Sequence, residues 1–445
     1  MAYWQYHSLK AAPQSAFGTV NSTDADFKSL LCETPAITFD TAIEELDLLT
    51  GQIGAAPERL VGRRSGSVAF KMPLEGLKSG YDPTVEDPGS AGVLPHWLCI
   101  LGNIIGSNIA LSDNAVKFWR GDHLSVSQYT AAGVTSATST AITLDNAGAS
   151  NKIDVGQLVA TALTSTSTVP QFGFAKTKVA QVVTLFEASA NTVNDAAGNV
   201  YGSGNAWLST SQPSQLPLTM RWVGDNAVFA YILQDCICES LTVAWEAGAV
   251  PTVEFKFRFY EFTMDKTEGG LATPDAFQRT PQIVGANNGR ATIAGTATCT
   301  LESCTLEYTQ QISEIKCHGA TQGITAVTYK NPRVKVTCQI LHNSADTVYD
   351  SAGSAGNTGS HQWQSFLERG VTKSLGVYVG SNIGRLFGFL ITAGKFIAAP
   401  AVSLREGAVQ YNLQLEAGTY TGDSTDTAET STDSPLDSIF RAGLA

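Results

Sequence analysis

The chain has 445 residues, of which 43% are apolar and only 15% charged, and its formal net charge at pH 7 is −12. Single hydrophobic cores stop growing at roughly 250–300 residues, so we expect two or three domains. The apolar content excludes general disorder. The acidic balance, with no basic run longer than Arg63-Arg64, argues against tight nucleic-acid binding, which depends on clusters of Lys and Arg.

Alternation of apolar and polar residues at period two, typical of half-buried strands, occurs four times along the chain. Its apolar members are Val68, Phe70, Met72 and Leu74; Val253, Phe255, Phe257 and Phe259; Val334, Val336, Cys338 and Ile340; and Val409, Tyr411, Leu413 and Leu415. Helical periodicity is scarce by comparison. We therefore predict an all-β protein with minor short helices.

Residues 1–29 are predicted to form an N-terminal arm, and residues 1–7 lack the basic and apolar succession of a signal peptide. None of the eight cysteines forms a Cys-x-x-Cys pair, and several lie inside apolar strand patterns. We therefore expect a protein made in a reducing cytoplasm, with its cysteines as small buried hydrophobes.

Three arginines, Arg59, Arg63 and Arg64, lie in a glycine-rich segment over 51–66 that we predict to be a loop between two strands. As a functional site, this loop would be a mobile arm that orders on assembly and pairs with acidic groups of the next subunit. The alternative is a solvated hairpin tip.

Residues 89–112 contain no Asp, Glu, Lys or Arg. Their apolar core, over 97–105, is much shorter than the ~20 residues that a membrane span needs. We therefore predict a buried helix or loop and no membrane insertion. The following segment, 111–215, is rich in Ser, Thr, Ala and Gly, with short strand candidates at 141–144 and 155–159. It is predicted to be a small inserted β domain on the outer surface, with a flexible loop as the alternative.

The segments of the first half recur in the same order in the second half, which predicts an internal duplication. The corresponding segments are 45–48 with 305–308, 67–74 with 333–340, 97–102 with 363–370, 216–222 with 375–379, 228–233 with 386–391, and the turns after Glu246 and Glu406. We predict a first domain over 30–110 and 216–265, a linker over 266–289, and a second domain over 290–420.

The last segment, 421–445, begins as an acidic Ser/Thr/Asp-rich stretch without basic residues up to 438 and ends in an apolar tip that contains Ile439 and Phe440. A polar tether with an apolar tip predicts a flexible arm that docks on a neighbouring subunit. The alternative is a frayed tail. Together with the three arginines, Ile439 and Phe440 are the candidate residues for contacts between subunits.

A search for chemistry finds no phosphate-binding loop, no His-Glu-x-x-His and no nucleophile elbow. The best metal candidate, Cys299, Cys304, Cys317 and His318, matches no familiar zinc spacing. Cys236 and Cys238 would share one face of a strand, which favours a core role over redox chemistry. We predict a protein that is not an enzyme, with no catalytic residue, no metal and no cofactor.

Residues 59–70, Arg-Leu-Val-Gly-Arg-Arg-Ser-Gly-Ser-Val-Ala-Phe, are similar to the loop-into-strand region of bacteriophage tail tube proteins. So is the order that follows: a short helix led by Pro-x-Trp, a strand pair, and Glu-Ala-Gly-Ala-Val before the strand at Val253. The resemblance covers roughly 35–110 and 215–420 and rests on pattern more than on identity. It implies two tandem tube-like β-sandwich domains, as in the members of this family with two fused tube domains.

The resemblance also implies partners and a location. Tube proteins stack as rings around a channel that carries the genome, and two fused domains imply three chains per ring, with near-sixfold symmetry. Other tail proteins would be partners, the contact with genomic DNA in the channel would be transient, and the location would be the virion tail, assembled in the host cytoplasm. A conduit for DNA is expected to be acidic inside. The alternatives are another surface or decoration protein of a virion, or a glycan-handling enzyme on a β scaffold.

Overall fold

The computed structural model describes about half of the chain, and all structural statements concern that part. The described residues are 8–23, 27–46, 58–76, 95–105, 111–112, 115–116, 134–137, 141–144, 158–161, 171–185, 200–202, 205–208, 217–224, 229–265, 290–293, 296–317, 323–341, 372–380, 386–398, 401–405, 408–418 and 440–444.

The described residues form one short helix and 25 strands, which confirms the predicted all-β class. The first half contains β1 (Ser8–Pro13), β2 (Lys28–Leu30), β3 (Ala36–Leu46), β4 (Glu58–Pro73) and α1 (His96–Ile105). The inserted segment contains β5 (Leu111–Ser112), β6 (Ala115–Val116), β7 (Val134–Ala137), β8 (Ala141–Leu144), β9 (Leu158–Thr161), β10 (Gln171–Val179), β11 (Val182–Leu185), β12 (Val200–Gly202) and β13 (Asn205–Leu208).

The first half then resumes, and the second half follows. The first half ends with β14 (Leu218–Gly224), β15 (Phe229–Glu246), β16 (Thr252–Phe259) and β17 (Glu261–Asp265). The second half contains β18 (Arg290–Ile293), β19 (Thr296–Lys316), β20 (Ile324–Leu341), β21 (Lys373–Val379), β22 (Phe387–Phe396), β23 (Ala401–Arg405), β24 (Ala408–Ala417) and β25 (Phe440–Leu444).

Eight of these strands follow one another as antiparallel neighbours across both halves, in the order β3, β4, β16, β15, β19, β20, β24, β23. The predicted period-two patterns explain their two faces. In β16, Val253, Phe255 and Phe257 are fully buried while Glu254 and Lys256 are exposed. Successive side chains of a strand point to opposite faces, so this sheet has one apolar face and one polar face. We call it the main sheet.

A second layer covers the apolar face of the main sheet. In the first half it consists of β2, β1, β14, the beginning of β15, and β17. In the second half it consists of β18, β21, β22 and β25. Aromatic rings fill the space between the layers, as where Phe259 of β16 packs against Phe262 of β17 with ring centroids 6.0 Å apart. Each half is therefore a β-sandwich.

The strand β15 belongs to both layers of the first half and bends where it passes between them. Up to Cys236 it pairs with β14, and from Ile237 it pairs with β16. Asp235 lies at the bend with a φ of 52°, a left-handed conformation that Asp adopts more readily than most residues. The backbone N–H of Gly18 donates a hydrogen bond of 2.7 Å to its carboxylate. Burial nevertheless raises the pKa of Asp235 above its ordinary value.

We expect Asp235→Asn to increase the free energy of unfolding at pH 7. The raised pKa means that the native state binds this proton more tightly than the unfolded state, so the ionised carboxylate destabilises the fold at neutral pH. As the pH falls through the raised pKa, this penalty disappears. Urea unfolding between pH 7 and pH 3 should show the advantage of the Asn variant shrinking toward zero. An advantage that does not vary with pH would contradict the assignment.

Several predicted boundaries differ from the structure. Residues 8–13 and 28–29 lie in the predicted N-terminal arm, yet 8–13 form β1 and 28–29 belong to β2 in the first sandwich. The end of the inserted segment, β13, pairs with β25. The predicted linker 266–289 lies outside the described residues.

The inserted segment has a sheet of its own. Six strands run in the order β12, β9, β10, β11, β8, β7, and the strand predicted at 141–144 is β8. This sheet contacts the second half, because Leu158 and Phe174 are buried against Tyr378, Leu386 and Leu390. No described residue tests whether the segment lies on the outside of an assembly.

The single described helix, α1, packs its apolar side into the core. Trp97 is fully buried, and its indole N–H donates a hydrogen bond of 2.9 Å to the carbonyl of Glu75. Its ring meets Phe387 of the second half edge-on at 5.3 Å. No helix among the described residues has the length and apolar character to cross a bilayer. The corresponding Trp-led segment of the second half, 363–370, lies outside the described residues.

Candidate self-association surfaces

The same succession of strand pairings occurs once in each half. The equivalent strands are β1 and β18, β3 and β19, β4 and β20, β14 and β21, the beginning of β15 and β22, the end of β15 and β23, β16 and β24, and β17 and β25. The long β15 is thus represented in the second half by two shorter strands. The two halves are structurally equivalent units.

The equivalence can be followed residue by residue. Phe229 begins the pairing of β15 with β14, and Phe387 begins the pairing of β22 with β21. Nine positions later, Cys238 and Phe396 pair with the central strands β16 and β24. Residues that lie directly opposite one another on neighbouring strands form a row across the sheet. The first half contains the row Ile37, Val68, Phe257 and Cys238, and the second half contains the equivalent row Leu306, Val336, Leu415 and Phe396.

These rows correct two details of the predicted duplication. The sequence comparison matched 45–48 with 305–308 and 67–74 with 333–340, whereas the pairing matches 36–39 with 305–308 and Val68 with Val336. Each shift stays within one strand, because β3 extends from Ala36 to Leu46 and β20 from Ile324 to Leu341. Alternating patterns in long strands match equally well at several registers, and only the opposed partner strand distinguishes them.

The junction between the halves is a continuous antiparallel pairing of β15 with β19, which we call the internal seam. It extends from Ser240 opposite Thr309 to Glu246 opposite Ser303. On its apolar side Leu241, Val243 and Trp245 are each at most 5% exposed. The amide of Gln310 also donates a hydrogen bond to the backbone carbonyl of Cys238 across the seam. One equivalent unit thus binds the next edge to edge.

Two edges of the main sheet remain outside this pairing. Among the described residues, β3 has β4 as its one strand partner and β23 has β24 as its one strand partner. Large apolar side chains are exposed along both strands: Val402 by 63%, Leu404 by 77% and Phe39 by 38%. An edge strand that exposes apolar side chains is a template for pairing with another strand.

The polar face of the main sheet carries charges of both signs. One row across the sheet contains Lys71, Glu254, Thr242, Glu307, Lys335 and Glu416. Ion pairs also cross this face, such as Arg333 with Glu416 at 3.8 Å. The formal charge of −12 is therefore not concentrated on the described part of this face.

The predicted arginine loop is largely a strand. Arg59, Arg63 and Arg64 lie in β4, which continues the hairpin with β3 as far as Glu58 opposite Leu46. Residues 47–57, between the two strands, lie outside the described residues. Arg64 is exposed and lies opposite Thr41. The prediction that these three arginines lie in a glycine-rich loop is wrong, because they lie in a strand. Their role in contacts between subunits stays a prediction.

The apolar tip at the C-terminal end is built into the chain's own fold. Phe440 is 1% exposed and lies in β25, which pairs with β22 on one side and with β13 on the other. The prediction that this residue docks on a neighbouring subunit is therefore not supported, because its apolar surface is already covered within the chain. Ile439 lies outside the described residues.

The cysteines that the structure describes are mostly core residues. Cys236, Cys238, Cys304 and Cys338 are buried, and burial raises the pKa of the first three thiols well above the ordinary value, so that they stay protonated. Cys304 faces Cys338 with their sulfur atoms 3.2 Å apart. Cys317 is exposed, which contradicts the expectation that all cysteines are buried.

The predicted metal candidate does not assemble. Cys304 lies inside β19 and Cys317 directly follows its end, so roughly 40 Å of extended strand separates them. His318 lies outside the described residues, and within the described ranges no three His, Cys, Asp or Glu side chains gather closely enough to hold a metal ion.

The chain matches no known protein family. No curated protein resembles it in sequence either.

Proposed function

We propose that this chain is a structural protein of a virion, a tail tube protein of a long-tailed bacteriophage, which polymerises as stacked rings around a channel for the genome. The observation that carries the proposal is the internal seam, in which one sandwich binds an equivalent sandwich through the edge of a shared sheet. A unit that binds its own equivalent edge to edge can repeat the contact between chains. Contacts of this head-to-tail kind form closed rings when the rotation closes.

Ring closure also accounts for the two remaining edges. An open main sheet exposes an unpaired strand at each end, and such strands lead to uncontrolled association. Closing the sheet into a barrel removes both edges. With two equivalent units in each chain, three chains supply six positions around the ring, related by a true threefold axis and an approximate sixfold axis.

The polar face suits a channel through which DNA passes. In a closed ring whose second layer lies outside, this face lines the lumen. Acidic and basic side chains are mixed on it, as in the row from Lys71 to Glu416. Phosphates bind tightly where basic groups cluster and release counterions. A lining of mixed sign offers no continuous basic surface, so a duplex can move past it without condensing on the wall.

Electron microscopy of the purified, concentrated chain tests the proposal. We expect tubes or stacked rings in which each ring contains three chains, with density for the six-stranded inserted sheet appearing three times. Six copies of the inserted sheet per ring would mean six chains per ring, and would show that the second half does not occupy a ring position equivalent to that of the first half. A protein that stays monomeric at all concentrations, or that binds only to preformed virus surfaces, would instead indicate a decoration protein.

A further inference from the structure

The two edges of the main sheet are the equivalents of the two strands that form the internal seam. The seam joins the end of β15 to β19. The equivalent of the end of β15 is β23, and the equivalent of β19 is β3. The edges that lack a second partner among the described residues, β23 and β3, are therefore the equivalents of the two strands that pair at the internal seam.

We infer that β23 of one chain pairs antiparallel with β3 of a second copy, in the register of the internal seam. This inference rests on the proposed ring and specifies its interface. Val243 lies opposite Leu306 in the seam. Val402 occupies the position of Val243, because each lies opposite the corresponding residue of the central strand, Tyr411 or Val253.

Ile37 occupies the position of Leu306, as the two equivalent rows show. The seam between chains therefore places Val402 opposite Ile37 of the second copy. By the same register Ser403 lies opposite Ala36, and Ala401 lies opposite Thr38.

The burial pattern agrees with this pairing. Val243 and Leu306 are 5% and 0% exposed in the internal seam, whereas Val402 is 63% exposed at the free edge. Leu404 occupies the position of Trp245, which is 5% exposed. Pairing with a second copy would bring Val402 and Leu404 beside Ile37 and Phe39 on the apolar side of the sheet. The free edges thus expose the kind of side chain that the internal seam buries.

The offset between the two rows also has the value that a closed barrel needs. The row of Ile37 ends at Cys238, and the row of Leu306 meets β15 at Val243. Glu239 lies between the paired residues Cys238 and Ser240 and has no partner in β16, so the two rows cross β15 four paired residues apart. The pairing therefore shifts by four residues along the strands for every four strands across the sheet. Four residues extend about 13 Å along a strand, and four strands extend about 19 Å across a sheet, which gives a strand tilt of roughly 35°.

Closed barrels have strand tilts of about 35–45°. Three chains that each contribute the eight strands of the main sheet would form a barrel of 24 strands. At this tilt such a barrel measures about 45 Å across between backbones, which leaves room for a nucleic-acid duplex.

Cysteine pairs across the inferred seam test its register in the full-length chain, with exposed Cys317 replaced by Ser. Directly opposed residues have Cβ atoms about 4.5–5.5 Å apart, and a shift of two residues increases this to about 7 Å. Disulfides need roughly 3.5–4.5 Å. Ala36→Cys with Ser403→Cys, and Thr38→Cys with Ala401→Cys, are therefore in register. Exchanging partners gives two controls that are out of register, Ala36→Cys with Ala401→Cys and Thr38→Cys with Ser403→Cys.

With oxidised glutathione as the oxidant, we expect both in-register variants to form covalent dimers and trimers on non-reducing gels, at least fivefold more than the out-of-register variants. Variants that carry only one of the two introduced cysteines measure how much of the cross-linking involves native thiols. Rings by electron microscopy with equal linkage in all four variants, or with none, would overturn the inferred seam and leave the proposed function standing. A chain that neither forms rings nor cross-links would overturn both.

Discussion

Replacing Val402 with Asp is expected to leave the chain folded and to prevent it from assembling. Val402 is 63% exposed in the single chain, so a carboxylate there stays hydrated before assembly. In the inferred seam it would be buried opposite Ile37 without a partner, which costs several kcal/mol. Since 1.4 kcal/mol corresponds to a factor of ten in an equilibrium constant, the concentration at which tubes appear should rise by about 100-fold or more.

The matched control for this variant is Val179→Asp. Val179 is 62% exposed, nearly the same as Val402, but it lies at the end of β10 in the inserted sheet. The Val179→Asp substitution introduces the same charge at a site outside the inferred seam. The variant chain should therefore assemble as the unmodified chain does. Light scattering against protein concentration compares the two variants, and circular dichroism verifies that both are folded. Equal assembly of both variants would show that β23 is not an interface.

Replacing Gly66 with Ala is expected to lower the free energy of unfolding by about 3 kcal/mol. Gly66 lies in β4 between Phe39 of β3 and Phe259 of β16. A Cβ at this position would overlap the carbonyl oxygen of Thr38 and the ring of Phe259. The backbone of Thr38 cannot yield without breaking the hairpin, so the strands must separate locally. A glycine within a strand commonly marks such a close approach.

Gly173→Ala is the control for Gly66→Ala. Its new Cβ would meet a terminal methyl carbon of Leu185 at 3.2 Å, and this side chain can rotate away. We expect a loss below about 1 kcal/mol. Equilibrium unfolding in urea, followed by tryptophan fluorescence, measures both variants. A loss for Gly66→Ala as small as that for Gly173→Ala would mean that the hairpin of β3 and β4 adapts freely.

The period-two patterns predicted the strands well because alternation is a local property. The alternating residues of β16, from Val253 to Phe259, are all buried, as a strand facing the core requires. The extent of the β3–β4 hairpin was not predictable in this way. Glycines at 62 and 66 indicated a loop, yet both lie inside β4. Pairing with a neighbouring strand determines where a hairpin ends, and no local pattern reports that partner.

The proposed surfaces for self-association were the least predictable part. The sequence directed attention to the arginines and to Phe440, because charge and an apolar tip stand out in a one-dimensional pattern. The structure instead directs it to Val402 and Leu404, which a sequence pattern cannot distinguish from other strand residues. Their exposure becomes visible only in the structure, where β19 covers the end of β15 while the equivalent β23 has no second strand partner among the described residues.

The position of β25 has a consequence for how the chain folds during translation. Its strand partner Asn205–Leu208 leaves the ribosome more than two hundred residues before Phe440–Leu444 does. At about 5–20 residues per second this interval lasts on the order of ten to fifty seconds. During that time the nascent chain holds Asn205–Leu208 without β25, and in the last part of the interval it also holds the outer edge of β22, which ends at Phe396. Folding of the second half is therefore a late event that depends on distant contacts, and the growing chain is most vulnerable to aggregation in this interval.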